Sequence, residues 1–323
     1  MNIGIIGATG IVGKKLLYLL EVRKFPIIKL SVAASDSSIG KSMDFKNEQI
    51  FLISVEELFN KKLDIVFMMC SNNISEQWAP KFVEKGVYVI DNSSAFRMDP
   101  GIPLVIPEIN GDCINSSTKL IANPNCSTAQ LVMVLHPLHQ KYHIKRVVVS
   151  TYQSVSGSGE AGVNQLLQER QKNGPMESGP YIGNIDKNCI PICDVLCNNG
   201  YTKEEIKIQE ETCKILNTPI PITATAVRVP VLYCHCESVN IEFNKKVCAA
   251  DIIKDLHECG TGIIVCDCPM PRDVEGKDEI YVGRIRDDFS RQNSVNMWIV
   301  GDNLMKGAAL NSIQIAEHIL ILL

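Results

Sequence analysis

The sequence predicts an α/β protein with two parts: a doubly wound parallel sheet, and an α+β domain whose sheet is mixed. Three observations predict this fold class. The chain opens with an apolar strand, a glycine-rich turn and a helix. Strand-like and helical stretches then alternate, as they do in parallel sheets covered by helices. From residue 145 onward the strand-like stretches follow one another with fewer helices between them, which indicates a mixed sheet with one covered face.

The composition is that of a folded protein of about two domains. The chain has 323 residues, which is enough for two domains of ordinary size. Its content of 46% hydrophobic and 21% charged residues argues against disorder. A net charge of −4, without a run of Lys or Arg, argues against a nucleic-acid partner. No apolar stretch is long enough to span a bilayer and no basic leader precedes the first strand, so we expect a soluble, cytoplasmic protein without a membrane partner.

The first turn has the features of a dinucleotide-binding βαβ unit. Asn2 to Ile6 form the predicted strand, and Gly7, Gly10 and Gly13 follow in a GxxGxxG pattern before an apolar helix. The first two glycines would let backbone amides approach a pyrophosphate at the helix N-terminus, and the third would let the helix pack on the strand. The alternative is a purely structural glycine turn in some other α/β domain.

The end of the second strand is where such a domain distinguishes NAD from NADP. The predicted strand, residues 27–34, ends at Ser35-Asp36-Ser37-Ser38. An acidic side chain at this point binds the ribose hydroxyls of NAD, whereas a cation or a group of hydroxyls suits the 2′-phosphate of NADP. Asp36 beside three serines leaves both cofactors open.

Hydrophobic periodicity and turn residues predict the remaining elements. In the first half of the chain we expect strands at 64–70, 87–90 and 120–122 and helices at 75–84 and 129–141. In the second half we expect strands at 145–152, 221–231, 238–243 and 262–266. The stretch 157–200 is rich in Gly, Asn and Pro and is predicted to be loop, and 304–323 is predicted to be an amphipathic helix.

Cys126 is the best candidate for a nucleophile among thirteen cysteines. The number is odd, so a disulfide framework is not expected, and no pair has the CxxC spacing of a zinc site. Cys126 follows the strand 120–122 and begins a helix in the turn Pro124-Asn125-Cys126-Ser127. Amides at a helix N-terminus favour a thiolate and lower the pKa of the thiol. A buried structural cysteine is the alternative.

His235 is the best candidate for an acid or base among six histidines, because it follows a predicted strand that carries Arg228. A core histidine is the alternative. His136, His139 and His143 lie on one side of a helix. That spacing is compatible with a metal site and equally with the polar face of a surface helix. No carboxylate accompanies them, so no metal is expected.

Several motifs occur in order along the chain and are specific in combination. They are Gly7-Ala-Thr-Gly-Ile-Val-Gly13, Asp91-Asn-Ser-Ser-Ala-Phe-Arg97, Val105-Ile-Pro-Glu-Ile-Asn110, Asn123-Pro-Asn-Cys-Ser-Thr128, Ser150-Thr-Tyr-Gln153, Ser156-Gly-Ser-Gly159, Val227-Arg-Val-Pro230, His235-Cys-Glu-Ser238 and Asp302-Asn-Leu-Met-Lys-Gly-Ala-Ala-Leu-Asn311. With these motifs the sequence resembles aspartate-β-semialdehyde dehydrogenase over essentially its whole length.

The resemblance implies an activity and a domain organisation. The family reduces L-4-aspartyl phosphate to L-aspartate 4-semialdehyde with NADPH and releases phosphate, on the route to diaminopimelate, lysine, threonine and methionine. It implies a Rossmann-type NADP-binding domain at 1–125 and 302–323, and a catalytic and dimerisation domain at 126–301. Family members form homodimers or homotetramers through the middle of the chain.

The resemblance also implies roles for individual residues. Cys126 would attack the acyl phosphate to form a thioester, His235 would act as acid and base, and Gln153 would orient the substrate. The substrate-binding residues would be Asn125, Glu204 for the ammonium group, Arg228 for the α-carboxylate, and Arg97 and Lys207 for the phosphate. Without the resemblance, Arg97 would read as a surface arginine and Glu204 with Lys207 as a pair on a solvated helix. The cofactor-binding residues would be Gly7, Thr9, Gly10, Ile11, Val12, Gly13, Ser35, Ser38, Ser156, Gly157 and Asn303.

The sequence departs from the family pattern at two positions. The family usually has an arginine in the loop after the second strand, where this chain has Ser35 to Ser38, and Met305 replaces an arginine in the last motif. Two alternative functions remain. One is N-acetyl-γ-glutamyl-phosphate reductase, whose cysteine motif typically reads Pro-Gly-Cys-Tyr-Pro-Thr. The other is a non-catalytic nucleotide sensor with the same fold.

Overall fold

The computed structural model describes residues 1–172, 179–260 and 262–322. The chain divides into two units. Met1–Pro124 and Ala308–Leu323 form unit 1, and Asn125–Gly307 form unit 2. Each unit contains a sheet of its own. Among the described helices, none is both long enough and apolar enough to cross a membrane.

Unit 1 is built on a seven-stranded sheet. Its strands are β1 Asn2–Ile6, β2 Lys29–Ala33, β3 Ser42–Phe45, β4 Glu48–Ile53, β5 Ile65–Met68, β6 Tyr88–Asp91 and β7 Leu120–Ala122. Its helices are α1 Ile11–Val22, α2 Val55–Phe59, α3 Asn72–Glu84, α4 Pro107–Asn110 and the C-terminal helix Leu310–Leu322. The strand order is β3-β4-β2-β1-β5-β6-β7, and every pairing is parallel except that of β3 with β4. The predicted parallel α/β sheet is confirmed.

The central strands of unit 1 are apolar on both faces. Ile5 and Ile6 of β1, and Val66 and Phe67 of β5, are successive residues on opposite faces of the sheet, and all four are buried. Strands that are covered on both sides read as continuous apolar runs, which is why they can be recognised in the sequence. The carboxyl end of β1 leads directly into the glycine turn.

The hairpin of β3 and β4 is absent from the predicted elements. Its turn is Lys46-Asn47, and both residues have positive φ, 49° and 64°. Two such residues form the tight turn that matches the twist of antiparallel strands. The hairpin lies at the edge of the sheet and exposes most of its side chains, so it lacks the apolar run that identifies the other strands.

Unit 2 is built on a six-stranded sheet, and the predicted mixed character of this sheet is confirmed, although the strands at 280–287 and 294–301 are absent from the predicted elements. Its strands are β8 Ile144–Gln153, β9 Ile222–Arg228, β10 His235–Phe243, β11 Ile263–Val265, β12 Ile280–Asp287 and β13 Ser294–Gly301, in the order β11-β12-β13-β10-β8-β9. Its helices are α5 Cys126–Tyr142, α6 Gly159–Lys172, α7 Lys203–Ile215, α8 Ala249–Glu258 and α9 Pro271–Val274. β10 is antiparallel to both β8 and β13, and β9 is parallel to β8. α5 contacts β8, β10 and β13.

Two predicted segments differ from the structure. The stretch 157–200 was expected to be loop, but α6 occupies Gly159–Lys172; residues 173–178 lie outside the described part of the chain. The final segment is a π-helical turn at Met305–Ala309 followed by the C-terminal helix. That helix is buried on most sides rather than amphipathic. Its polar Asn311 is buried and donates to the carbonyl of Val105 at 2.8 Å and to Oδ1 of Asn123 at 2.7 Å.

Candidate active site

Cys126 is the first residue of α5, three residues earlier than the predicted helix start. Asn125 caps the helix: its Oδ1 accepts hydrogen bonds from the amides of Ser127 at 2.9 Å and Thr128 at 3.2 Å. The amide of Asn125 donates to the carboxylate of Glu211 on α7 at 2.7 Å. The cap and this buried hydrogen bond therefore fix the position of the Cys126 thiol at the helix N-terminus.

A glycine packs directly against Cys126. A Cβ at position 307 would lie 2.8 Å from Cβ of Cys126. Because real side chains do not approach this closely, Gly307 allows the chain to pass beside the nucleophile. This explains why the last motif of the sequence contains a glycine at this point.

Gln153 and Glu204 form a polar cluster next to the cap. Nε2 of Gln153 donates to Oγ of Ser127 at 3.0 Å and to Oε1 of Glu204 at 3.1 Å. Nδ2 of Asn125 donates to the same Glu204 oxygen at 2.9 Å. Nζ of Lys207 lies 3.5 Å from the other oxygen of Glu204. The structure thus brings together five of the predicted residues, namely Cys126, Asn125, Gln153, Glu204 and Lys207.

Lys207 also has a partner that the sequence does not predict. Its Nζ lies 2.6 Å from Oδ2 of Asp194. Burial raises the pKa of the Asp194 carboxyl, but the hydrogen bond and the charge of Lys207 lower it. The net effect is a lowered pKa. Lys207 is therefore held by two carboxylates in this structure, and a phosphate would compete with Asp194 for it.

His235 is the first residue of β10 and is completely buried. Burial, together with repulsion from Arg228, lowers its pKa from 6.5 to about 3, so the imidazole is neutral. Nδ1 accepts the amide hydrogen of Ser154 at 3.0 Å and lies 3.1 Å from Oγ of Ser154. Since Nδ1 accepts, we infer that the proton of the neutral ring is on Nε2. Within the described residues, Nε2 has no hydrogen-bond partner.

Arg228 and Gly157 lie against the buried Nε2 edge of this imidazole. Nη1 of Arg228 donates to the carbonyl of Ser154 at 2.6 Å, while no described residue accepts from its Nε. A Cβ at position 157 would lie 2.7 Å from Nη1 of Arg228 and 3.1 Å from Nε2 of His235. The backbone of Gly157 therefore packs against both side chains more closely than a residue with a Cβ could.

Ser154 belongs to the site although the sequence does not predict it. The same is true of Glu211, which accepts the amide hydrogen of Asn125. Ser154 and Ser156 donate to Oδ1 of Asn303 at 3.1 and 3.2 Å, and the amide of Cys234 donates to the same atom at 3.0 Å. This network connects the loop after β8 to the start of β10. Ser156 and Asn303, predicted to bind cofactor, here hold that loop. The sequence signal for Ser154 is only its place directly after Gln153.

Glu237 is a buried acid near His235 that was also not predicted. It lies two residues along β10, so it shares a sheet face with His235. The side chain is fully buried, and burial raises its pKa well above 4.5; the Gln130 amide on α5 offsets only part of this effect. Burial therefore favours the protonated form of this carboxyl group.

His139 and His143 lie at the C-terminal end of α5, where His143 is the first residue after the helix. Nδ1 of His139 accepts the amide hydrogen of Ile144, and His143 adopts the left-handed conformation after the last helical residue. Among the described residues, no group of three His, Cys, Asp or Glu side chains is arranged to hold a metal ion.

The predicted nucleotide residues of unit 1 lie at the glycine turn. Gly7 has a φ of +84°, and a Cβ there would lie 2.1 Å from the carbonyl oxygen of Met69. A Cβ at position 13 would lie 2.3 Å from the carbonyl oxygen of Gly7. Gly10 is the N-cap of α1, which begins with Ile11 and Val12. Because neither position has room for a Cβ, the turn depends on glycine for the close approach of its backbone segments.

A cleft of about 550 Å³ opens beside this turn. Of the predicted residues, it is lined by Gly7, Thr9, Gly10 and Ser35. Ser38 closes a short 3-10 turn, donating its amide hydrogen to the carbonyl of Ser35. Arg97 also belongs to unit 1. It is buried, and its Nη2 donates to the carbonyl of Asn92 at 2.9 Å.

Comparison with known proteins decides the family. A family model described as "Semialdehyde dehydrogenase, NAD binding domain" matches residues 2–117, and one described as "Semialdehyde dehydrogenase, dimerisation domain" matches residues 135–306. The chain is 43% identical over 326 aligned positions to aspartate-semialdehyde dehydrogenase 2 of Vibrio cholerae, covering 98% of this chain and 96% of that protein. This chain belongs to the semialdehyde dehydrogenase family. The resemblance inferred from the motifs is confirmed.

Solved structures of the family share this fold. The Vibrio cholerae aspartate semialdehyde dehydrogenase II, complexed with ASA, has a TM-score of 0.95 and 41% identity and covers 99% of this chain and 98% of its own. The aspartate semialdehyde dehydrogenase of Candida albicans, solved with NADP, has a TM-score of 0.78 and 25% identity, with coverage of 99% and 98%. The predicted combination of a parallel and a mixed sheet is the fold of the semialdehyde dehydrogenases.

Proposed function

We propose that this protein is an NADP-dependent, phosphorylating aspartate-semialdehyde dehydrogenase of lysine, threonine and methionine biosynthesis. It reduces L-4-aspartyl phosphate to L-aspartate 4-semialdehyde and releases phosphate. The observation that carries the proposal is the cluster in unit 2, in which a cysteine at a capped helix N-terminus lies among Gln153, Glu204 and Asn125. Membership of a family whose relatives bear this name supports it.

The first step is acyl transfer to Cys126. The thiolate attacks the acyl carbon of the substrate, the bond from that carbon to the phosphate oxygen breaks, and phosphate leaves with the electron pair. Nε2–H of His235, from which no described residue accepts, is the donor that we assign to the developing oxyanion. The product of this step is a thioester of Cys126.

The second step is reduction of the thioester. NADPH, when bound, supplies the hydride that reduces the thioester carbon. Cys126 then leaves as a thiolate, and the aldehyde is released. Gln153, held by Ser127 and Glu204, keeps its amide in place beside the reacting carbon through both steps.

Charge complementarity supports the assignment of the substrate groups. Glu204 is a buried carboxylate that can bind an ammonium group, and its oxygens already meet two amides and Lys207. Arg228 is buried with an unsatisfied Nε and suits the α-carboxylate. Lys207 and Arg97 are assigned to the phosphate on the strength of the resemblance.

The residues of unit 1 fit a dinucleotide. A pyrophosphate would bind at the N-terminus of α1, beside Gly7, Gly10 and Gly13. The adenosine would bind in the cleft that Ser35 and Trp78 line. We assign nucleotide binding to 1–125 and 302–323, and catalysis and dimerisation to 126–301. Residues 302–307 pack within unit 2, where Asn303 supports the loop beside His235.

A homodimer, or a tetramer built from it, is supported by the sheet of unit 2. One face of that sheet is covered by α5, whereas Ser238 and Tyr152 on the other face are exposed. The rings of Tyr152 and Trp298 pack there with centroids 5.2 Å apart. An open apolar face on a domain matched by a dimerisation model is the surface for a second copy. Light scattering on the wild type and on Trp298→Glu tests it: a monomeric wild type contradicts the proposal.

The activity is tested by phosphate-dependent oxidation of L-aspartate 4-semialdehyde, followed by the absorbance of the reduced nicotinamide. Cys126→Ser should lose at least about a thousandfold in turnover, because oxygen is the poorer nucleophile and the activated group is gone. Cys189→Ser, at an exposed cysteine, is the matched control and should retain turnover. Turnover with N-acetyl-L-glutamate 5-semialdehyde instead would indicate the related reductase. No turnover from folded, cofactor-binding protein would indicate a sensor.

A further inference from the structure

The cleft beside the glycine turn carries two carboxylates at its rim. Asp36 follows β2, and Glu56 lies in the first turn of α2; both side chains line the cleft and are exposed. Asp36 and Glu56 therefore give the rim of this cleft a negative charge, and no lysine or arginine is among the described residues that line it.

Asp36 stands where a dinucleotide-binding unit meets the adenosine ribose. It lies three residues beyond the end of β2 at Ala33 and opens the 3-10 turn Asp36–Ser38. In such units a carboxylate at this point accepts a hydrogen bond from the 2′-hydroxyl of NAD, and a nearby arginine accommodates the 2′-phosphate of NADP. A phosphate of nearly two negative charges is repelled by Asp36 and Glu56, whereas a hydroxyl is not.

Ser35 and Ser37 offer two hydroxyl groups near this point of the cleft. Oγ of Ser35 lies 3.2 Å from Oγ of Ser37, and Ser35 lines the cleft. Hydroxyls donate hydrogen bonds to phosphate oxygens but bring no positive charge, so they offset only part of the repulsion. NADP can therefore still bind, but without the advantage that a guanidinium would give.

We propose that this cleft binds NAD(H) at least comparably with NADP(H), with Asp36 as the residue that binds the ribose 2′-hydroxyl. Ser37, whose Oγ lies 3.2 Å from that of the cleft residue Ser35, is the position at which the effect of an added cation is tested. The inference rests on the proposed function, because it assumes that the cleft binds a nicotinamide dinucleotide.

Binding is measured by titration calorimetry with NAD⁺ and NADP⁺ separately, on the wild type and on variants. The wild type should bind the two with dissociation constants within about tenfold of each other, or bind NAD⁺ more tightly. Ser37→Arg should lower the dissociation constant of NADP⁺ at least about tenfold and change that of NAD⁺ less than about threefold. Asp36→Asn should weaken NAD⁺ relative to NADP⁺. Ser116→Arg adds the same charge at an exposed serine of unit 1 away from the cleft, and should leave the ratio of the two constants unchanged.

The outcomes separate this inference from the proposed function. A wild type that binds NADP⁺ more than about a hundredfold tighter than NAD⁺ overturns the inference, whatever the turnover. The inference is also overturned if Ser37→Arg leaves the ratio of the two dissociation constants unchanged. It is overturned as well if Ser116→Arg changes that ratio by the same factor. Absence of semialdehyde turnover with either dinucleotide overturns the proposed function, and the binding ratio still decides the inference.

Discussion

The backbone amide of Ser154 donates a hydrogen bond of 3.0 Å to Nδ1 of His235, and this contact determines which face of the imidazole is reactive. Because Nδ1 accepts, the proton of the neutral ring lies on Nε2, beside the backbone of Gly157. In this tautomer the free ring position of His235 is a hydrogen-bond donor. In the mechanism proposed above, this N–H stabilises the negative charge that develops on the substrate.

The burial of His235 predicts a loss of stability in acid. Its pKa is lowered from 6.5 to about 3 in the folded protein, so between these values the unfolded chain binds a proton that the folded chain excludes. The free energy of unfolding should fall as the pH drops below about 6.5, by at most about 1.4 kcal/mol per pH unit from this group. Urea unfolding at several pH values should show a shallower fall for His235→Asn. His257→Asn, at an exposed histidine, is the control, and an equal change in both variants would contradict the prediction.

Gly157→Ala should lower turnover strongly while the protein stays folded. The new methyl group would lie 2.7 Å from Nη1 of Arg228 and 3.1 Å from Nε2 of His235, so both side chains would have to shift. We expect kcat/KM to fall by about a hundredfold or more, as for other displacements at reacting groups. Gly183→Ala is the matched control, because nothing lies within 4 Å of a Cβ there. Full activity of Gly157→Ala would show that the close packing at this glycine does not position the two groups for the reaction.

Glu204→Gln should raise the KM for the semialdehyde. The substitution removes the charge that we assign to the substrate ammonium, and it weakens the acceptor shared by Asn125 and Gln153. Hydrogen bonds to charged groups contribute about 1.5 to 3 kcal/mol, so an effect of about tenfold to a hundredfold is expected. Glu210→Gln changes an exposed acid on the same helix and should have no effect. The assignment is wrong if both variants have the wild-type KM.

Glu237→Gln should stabilise the protein at alkaline pH. The raised pKa of Glu237 means that the folded protein keeps a proton which the unfolded chain releases above about pH 4.5. The stability contributed by this group therefore decreases as the pH rises from 4.5 towards the raised value, and glutamine, which has no charge, removes that decrease. Melting temperatures at about pH 5 and about pH 8 should differ less for Glu237→Gln than for the wild type. Glu210→Gln is again the control, and an unaltered pH dependence of Glu237→Gln would refute a protonated Glu237.

The features that could be predicted from sequence are those encoded within a few residues. The glycine turn is one, because its conformation depends on Gly7 having no side chain. The position of Cys126 is another, because the capping Asn125 and the preceding strand are its chain neighbours. Buried parallel strands such as β1 and β5 are recognisable as apolar runs.

The features that were missed depend on partners far away in the chain. Ser154 and His235 are 81 residues apart, and Asn125 and Glu211 are 86 residues apart, so neither pairing is visible locally. The final helix is predicted to be amphipathic, yet its Asn311 is buried, and Val105 and Asn123 accept its hydrogen bonds. Helix α6 was missed because its glycines and polar residues resemble a loop until the core of unit 2 is known.

The central claim, a thioester at Cys126, is tested most directly by a single turnover without phosphate. The protein is mixed with L-aspartate 4-semialdehyde and oxidised dinucleotide, and reduced nicotinamide is followed while the protein is sampled for intact and peptide mass. We predict a burst of about one reduced nicotinamide per active site, an aspartyl adduct on the peptide that contains Cys126, and loss of that adduct when phosphate is added. Turnover without a burst, or an adduct that persists in Cys126→Ser, would contradict covalent catalysis by this residue.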